Sequence, residues 1–300
     1  MTARLLTTGG HSHTIARLEG SITVIAFNES TVAPESQGTG VKRQELLSDK
    51  RIGGTRVRLD GLTFSAGAAM QLAVPPGLVA WLHVLKGDAK FHALYTDRLS
   101  DVNSILLPPR FQGTLSSTDG ASLLYAQAPE KRPADPDLSP SGSLFIVTNW
   151  TREAVFASEH DARKRIELAR PEMCGTAAIK IEMVIYPAGS TAPSHHHEGA
   201  ETFMYVLEGR GTAWANNKAN PIGAGDALYF PDREPHYVQA AAGSDLRFLE
   251  FHAPAEFKTI WTNPKEASAW LSTNRDISGR ETLLDEQERH AFRFVFPFAI

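Results

Sequence analysis

The sequence predicts an all-β protein built from two copies of one unit. Displacing the chain by 122 residues lays Gly67 on Gly189, Gly87 on Gly209 and Pro109 on Pro231 without a gap. In that register GGTRVRLDGLTFSAG (53–67) lies over GTAAIKIEMVIYPAG (175–189), LHVLKG (82–87) over MYVLEG (204–209), and SILLPP (104–109) over DALYFP (226–231). A fixed-period repeat speaks for architecture ahead of any local propensity. The apolar stretches are short, rich in β-branched and aromatic residues, and punctuated by Gly, Pro and Asn, as an all-β barrel requires. Three hundred residues that are 42% apolar are enough for about two ordinary cores.

Taken in order, the strands of the first copy are expected at Val57–Phe64, Val79–Leu85, Lys90–Tyr95, Ser104–Leu107 and Leu123–Gln127. Ala128–Ser143, with four prolines and little apolar content, reads as a linker. The second copy should use Ile179–Tyr186, Thr202–Leu207, Gly211–Ala215, Ala227–Phe230, His236–Gln239 and Leu246–Phe251. Glu159–Arg170 is read as a short helix with a solvated basic face. A second short helix should start at Asn263-Pro264 and run to Leu271, with Asn263 as cap and Glu266 reciprocating. In the tail, Phe292, Phe294, Phe296 and Phe298 recur at every second position, an extended strand with one aromatic face. That face must be covered by the chain's own barrels or by a second subunit, and Pro297 assigns the strand to a sheet edge. The domains are therefore expected at 1–127, 144–253 and 254–300, with 128–143 between the first two.

Several classes of function find no support. A net charge of −4 leaves no basic footprint for nucleic acid. The N-terminus has no apolar core of signal-peptide length, and no run of about eighteen apolar residues suggests a membrane span, so a cytoplasmic protein is expected. The single Cys174 excludes an internal disulfide and a Cys-based zinc motif, and reads as a small buried hydrophobe. No nucleophile elbow, phosphate-binding loop or dinucleotide-binding glycine turn is present.

The sharp signal is the stretch Gly189–Gly211, GSTAPSHHHEGAETFMYVLEGRG. Strand alternation points His195 and His197 to one face and His196 to the other. Glu201 can return to the face of His195 and His197, and a second stretch, Gly225 to His236, offers one more histidine after a Pro-bounded turn. Imidazoles and a carboxylate converging from adjacent strands suit Fe, Mn, Ni, Cu or Zn. His195, His197, Glu201 and His236 are the candidate ligands. On a regular strand Phe203 and Tyr205 would share the inward face; a bulge would put Met204 and Val206 there instead. Arg233, just before His236, could bind a substrate carboxylate through its planar fork, or pair on the surface with Asp232 or Glu234. Phe203, Tyr205 and Arg233 are the residues expected to touch substrate.

These two stretches resemble the two motifs of the cupin family. The first motif runs from Gly through His-x-His and a Glu to a second Gly, with six residues between that Glu and that Gly; Gly189, His195, His197 and Glu201 fit, but seven residues separate Glu201 from Gly209. In the second motif Gly225, Pro231 and His236 fit, with Arg233 where Gly is usual and Ala240 where Asn is usual. The resemblance implies two tandem jelly-roll-like barrels, with one divalent transition metal on three histidines and a glutamate. In the repeat register Ala73, Pro75, Val79 and Thr114 stand opposite the four ligands, so the first barrel should be metal-free. Its histidines, including His11, His13, His83 and His92, miss the motif positions. Val79 and Gly87 share the seven-residue interval, which suggests a bulge built into both copies.

For function, the leading expectation is an Fe(II)-type dioxygenase acting on a small polar or anionic compound. Mn, Ni, Zn or Cu chemistry is the alternative, as in an isomerase, a lyase or an aminohydrolase resembling (S)-ureidoglycine aminohydrolase. A binding or regulatory module with a structural metal is the third. By resemblance the chain is expected to form a homodimer through edge strands.

Overall fold

The computed structural model describes residues 25–92, 96–130, 143–282 and 294–296. The first half contributes β1 (Ile25–Asn28), β2 (Glu35–Ser36), β3 (Val41–Leu47), β4 (Arg58–Phe64), β5 (Ala69–Ala73), β6 (Leu78–Gly87), β7 (Ala89–His92), β8 (Thr96–Leu99), β9 (Asn103–Leu107), β10 (Gln112–Ser116) and β11 (Ala121–Pro129). The second half contributes β12 (Ser143–Asn149), β13 (Val155–Ser158), β14 (Lys164–Ala169), β15 (Lys180–Tyr186), β16 (His195–Glu198), β17 (Glu201–Glu208), β18 (Arg210–Ala215), β19 (Lys218–Gly223), β20 (Asp226–Phe230), β21 (His236–Ala240), β22 (Leu246–Ala253), β23 (Lys258–Trp261), β24 (Trp270–Ser272) and β25 (Phe294–Phe296). Two one-turn helices, α1 (Asp49–Ile52) and α2 (Pro171–Cys174), precede β4 and β15 respectively.

Each half folds as two sheets facing one another. The large sheet of the first barrel runs β2-β3-β4-β11-β6-β9-β12-β25 and faces the smaller β5-β10-β7-β8. The second barrel repeats this with β1-β20-β17-β22-β15-β14-β13-β24 facing β19-β18-β21-β16-β23. The inner faces form two separate cores, one around Leu62, Leu82, Phe91 and Leu115, the other around Val184, Met204, Phe230 and Phe248. The outer faces of the two large sheets pack on each other in a third core that includes Leu59, Trp81, Ile181, Met183, Phe203 and Phe251. Both faces of the large sheets are thus covered, which is why strands such as β4 and β15 are buried nearly throughout.

The repeat is visible in detail. Opposite β11 the pairing of β6 slips between Lys86 and Val84, and opposite β22 the pairing of β17 slips between Val206 and Glu208. The extra residues, Leu85 and Leu207, coincide in the 122-residue register. Both bulges end at a glycine with positive φ, Gly87 and Gly209. A Cβ there would lie 2.3 Å from the Gly120 carbonyl oxygen and 1.8 Å from that of Asp245, so only glycine fits.

Sheet membership does not follow the expected domain boundaries. β1 joins the second barrel's sheet through β20, with Ile25 opposite Tyr229, and β12 joins the first barrel's through β9, with Ile146 opposite Leu106. Each half therefore lends a strand to the other. The expected helix at Glu159–Arg170 is instead strand β14: Ile166 and Leu168 are buried while Lys164 is exposed, a period of two rather than 3.6. After the second barrel the Asn263 cap forms, accepting from the Lys265 amide, but the helix is a single turn over Pro264–Glu266 before β24 begins. β25 pairs with the chain's own β12, Phe294 opposite Phe145. His11, His13, most of the linker and the rest of the tail lie outside the described residues. Among the described residues, no helix is long and apolar enough to cross a membrane.

Candidate metal centre

β16 is a four-residue strand held between β21 and β23, with His195 opposite both His236 and Trp261. Alternation turns His195 and His197 toward His236, while His196 and Glu198 face away, 3.7 Å apart. The ring centroids of His195, His197 and His236 lie 5.0, 4.8 and 5.3 Å from one another. Their ligating atoms fall within 4.8 Å of each other.

The tautomers of these rings are set from behind. His195 Nδ1 donates to the Pro193 carbonyl at 2.8 Å and His236 Nδ1 to the Glu234 carbonyl at 2.8 Å, while His197 Nδ1 faces the Thr259 hydroxyl at 3.2 Å. The Nε2 atoms of His197 and His236 are buried without any hydrogen-bond partner. An unpartnered buried acceptor is costly, and an outward Nδ1–H fixed by a carbonyl is the usual support of a metal-ligating histidine. Burial pushes the His195 pKa down to about 4 and depresses those of His197 and His236 further, so all three rings are neutral and available as ligands. The residues present fit a divalent transition metal.

The structure does not bring Glu201 to these rings. Its Oε2 accepts from the Thr55 hydroxyl of the first barrel at 2.5 Å, and its charge raises the pKa of the neighbouring Tyr229, after burial the second cause. The bulge common to both copies does not rescue it, because it falls at Leu207, downstream of the residue in question. Thr202 takes the inward place instead, buried, with its hydroxyl 3.2 Å from His252 Nδ1. Thr202 is also the residue that six others separate from Gly209, the motif's own spacing, and this was the signal in the sequence.

Phe203 and Tyr205 are likewise on the outer face. Phe203 stacks on Phe251 at 4.5 Å within the core shared by the barrels, and the Tyr205 hydroxyl donates to Glu29 at 2.6 Å. Met204 and Val206 line the interior. Arg233 takes the left-handed backbone (φ 65°) that the motif glycine would adopt, and its amide donates to the His197 carbonyl at 2.9 Å. Its guanidinium is 67% exposed, 3.9 Å from both Glu198 and Asp232. Since Glu198 is on the outer side of β16, Arg233 points away from the histidines.

Sequence reasoning missed the inner face of the strands opposite. Phe248, Glu250 and His252 alternate into the barrel from β22, while Leu249 and Phe251 go to the shared core. His197, Glu250 and His252 form a second set of ligating atoms within 4.8 Å of one another. Lys180 and Glu182, rather than Ile181 and Met183, are the inward pair on β15. Glu182 is buried between Lys180 and Arg165, the latter at 3.1 Å; although burial opposes it, these cations hold its carboxyl down to about 2. Glu250, directly opposite Glu182, is pushed up to about 8 by burial and by that neighbouring carboxylate.

A cavity of about 600 Å³ lies elsewhere, between the two large sheets, lined by Glu29, His83, Trp150, Tyr205 and Arg247 among others. It shares no residue with the histidine cluster. His83 there is buried with its ring parallel to Trp81 at 5.5 Å.

Comparison with known proteins agrees with this geometry. The cupin domain family matches residues 182–252. The oxalate-binding protein of Thermotoga maritima is 38% identical over 82 residues, 27% of this chain and 67% of that protein. An uncharacterised protein of Methanocaldococcus jannaschii is 30% identical over 83 residues, 28% and 66%. The chain thus spans about two thirds of the length of these curated relatives. Among solved structures, a mutant of Bacillus subtilis oxalate decarboxylase superposes with a TM-score of 0.65 at 13% identity over 81% of each chain. Protein Ylba from E. coli superposes with a TM-score of 0.64 at 12% identity over 78% of this chain and 91% of that one. The chain belongs to the cupin superfamily, as a two-barrel member whose metal motifs lie only in the second barrel.

Proposed function

We propose that the second barrel holds one divalent transition metal on His195, His197 and His236 and acts enzymatically on a small carboxylate-bearing compound, with Fe(II) dioxygenase chemistry as the leading form. The observation that carries this is the pair of buried, partnerless Nε2 atoms on His197 and His236, whose rings are held by Glu234 and Thr259. An ion held by three histidines supplies Lewis acidity and open positions where a chelating enol, catechol or 2-oxo acid can bind. The chain's own residues do the rest. Lys180 and Arg165 bring positive charge to the interior on β15 and β14 and, although engaged with Glu182, bias the cavity toward an anion. Met204, Val206 and Phe230 form an apolar wall that limits water.

A second reading is a non-redox role, binding or cleaving a dicarboxylate. It is favoured by the relative that binds oxalate and by the fold shared with oxalate decarboxylases, one of whose solved structures concerns Mn(II) centres. Elemental analysis of chain purified without chelator, followed by oxygen uptake and product analysis on enols, catechols, 2-oxo acids and oxalate, separates the two. Iron with oxygen consumption supports the dioxygenase; manganese with oxalate turnover or tight oxalate binding supports the second; a chain that takes up no metal overturns both.

A further inference from the structure

We infer that Glu250, on the last strand of the second barrel, supplies the carboxylate ligand that the family's glutamate position lacks in this chain. The inference rests on the metal reading above. The motif position is Thr202, and Glu201 is committed to Thr55 on the far face. The shell of three histidines would otherwise have no carboxylate.

The inner face of β22 provides one. Glu250 sits opposite Met204 and His252 opposite Thr202 on the adjacent strand, so both lie beside the vacated position. The rings of His252 and His197 are 4.6 Å apart, as close as any two of the motif histidines. Glu250, His252 and His197 keep their ligating atoms within 4.8 Å, close to the span across a single ion, and His197 also belongs to the motif set. The Glu250 side chain is 14% exposed, and among the described residues its only ion-pair neighbour is His252 Nε2, 4.0 Å away. The Thr202 hydroxyl meets His252 Nδ1 at 3.2 Å and so orients that ring with its other nitrogen toward Glu250.

The first barrel serves as an internal control. The buried Asp60 there is clamped by Arg43 and Arg58, which lie at the positions of Glu182, Arg165 and Lys180 in the 122-residue register. That charged triad occurs in both barrels and so does not depend on the histidine set. Opposite Asp60 and Arg58 stand Tyr125 and Gln127, just as Glu250 and His252 stand opposite Glu182 and Lys180. In the first barrel, which lacks the motif histidines, these two residues bond to each other at 2.9 Å instead. A carboxylate and an imidazole stand at these two positions only in the barrel that has the three histidines.

The test is metal affinity, read by competition with a chelator for Mn(II) and by the visible spectrum of Co(II)-loaded full-length protein. The Glu250→Gln variant should lose about tenfold or more in Mn(II) affinity and show an altered Co(II) spectrum, with circular dichroism unchanged. Adding Thr202→Glu, which rebuilds the family's own shell, should restore affinity in the Glu250→Gln background. Wild-type affinity in Glu250→Gln would overturn the assignment while leaving three-histidine binding standing. Failure of the wild-type chain to take up either ion would overturn the metal reading itself.

Discussion

The Thr55 hydroxyl donates to the Glu201 carboxylate at 2.5 Å, and this one bond ties the first barrel to the second across their shared core. A carboxylate that falls four residues after the histidine run in sequence thereby serves the interface instead of the metal. Glu201→Gln should keep full metal content and lose about 1.5–3 kcal/mol of stability, the range for a hydrogen bond to a charged acceptor. Chemical denaturation alongside elemental analysis checks both halves of that expectation; loss of metal would return Glu201 to the ligand shell.

His196 and His197 are neighbours on a strand with opposite destinations. His197→Ala should reduce metal affinity by more than about tenfold while far-UV circular dichroism stays unchanged. His196→Ala, removing a side chain that faces Glu198, should bind metal as the wild type does. Equal losses in the two variants would mean that the face of β16 has been assigned wrongly.

Arg233 holds φ at 65°, where a side chain is strained and glycine is not. Arg233→Gly should therefore leave metal content and substrate affinity intact and raise stability by up to about 1 kcal/mol. A rise in KM on a carboxylate substrate would instead support the anion-anchoring role its side chain could have had.

His83 predicts a pH dependence away from the metal. Burial, with Arg247 adding to it, lowers its pKa to about 4 from an ordinary 6.5. The fold thus favours the neutral ring. Its contribution is fully present above pH 6.5 and is lost as pH falls toward 4, when the ring must charge against burial. The full contribution is about 3 kcal/mol. Other buried histidines titrate in the same direction, so the informative quantity is the difference from His83→Asn. The variant's unfolding free energy should fall less steeply between pH 6.5 and 4 than that of the wild type; parallel curves would exclude His83 as a source.

The tail strand completes an edge. β25 pairs with Ser143–Phe145 of β12, which itself is lent to the first barrel. Deleting residues 291–300 should strip that pairing, lower Tm by about 4 °C or more and expose a strand edge prone to association. Unchanged Tm and oligomeric state in the truncated chain would show that the tail contributes nothing.

The sequence alone determined the class of fold, the two-fold repeat, the central strands around the motifs, and the run of histidines at 195–197 with His236. These follow from local patterns: glycines at fixed intervals, short alternating apolar runs, and a His-x-His pair that strand geometry turns to one side. The same patterns could not say which face of a strand lay inside a barrel when both faces were buried. β17 is apolar on either side because the outer faces of the two large sheets form a core of their own, so Phe203 and Tyr205 read as interior as readily as Met204 and Val206. Glu201 was misjudged for the same reason: its neighbour Thr202 is the inward residue, and only the pairing of Thr202 with His252 decides it. Glu250 and His252 were illegible because they sit far from the motifs in sequence and reach them only when β22 pairs with β17. The exchange of β1 and β12 between barrels is likewise a matter of long-range pairing, which no periodicity within either segment records.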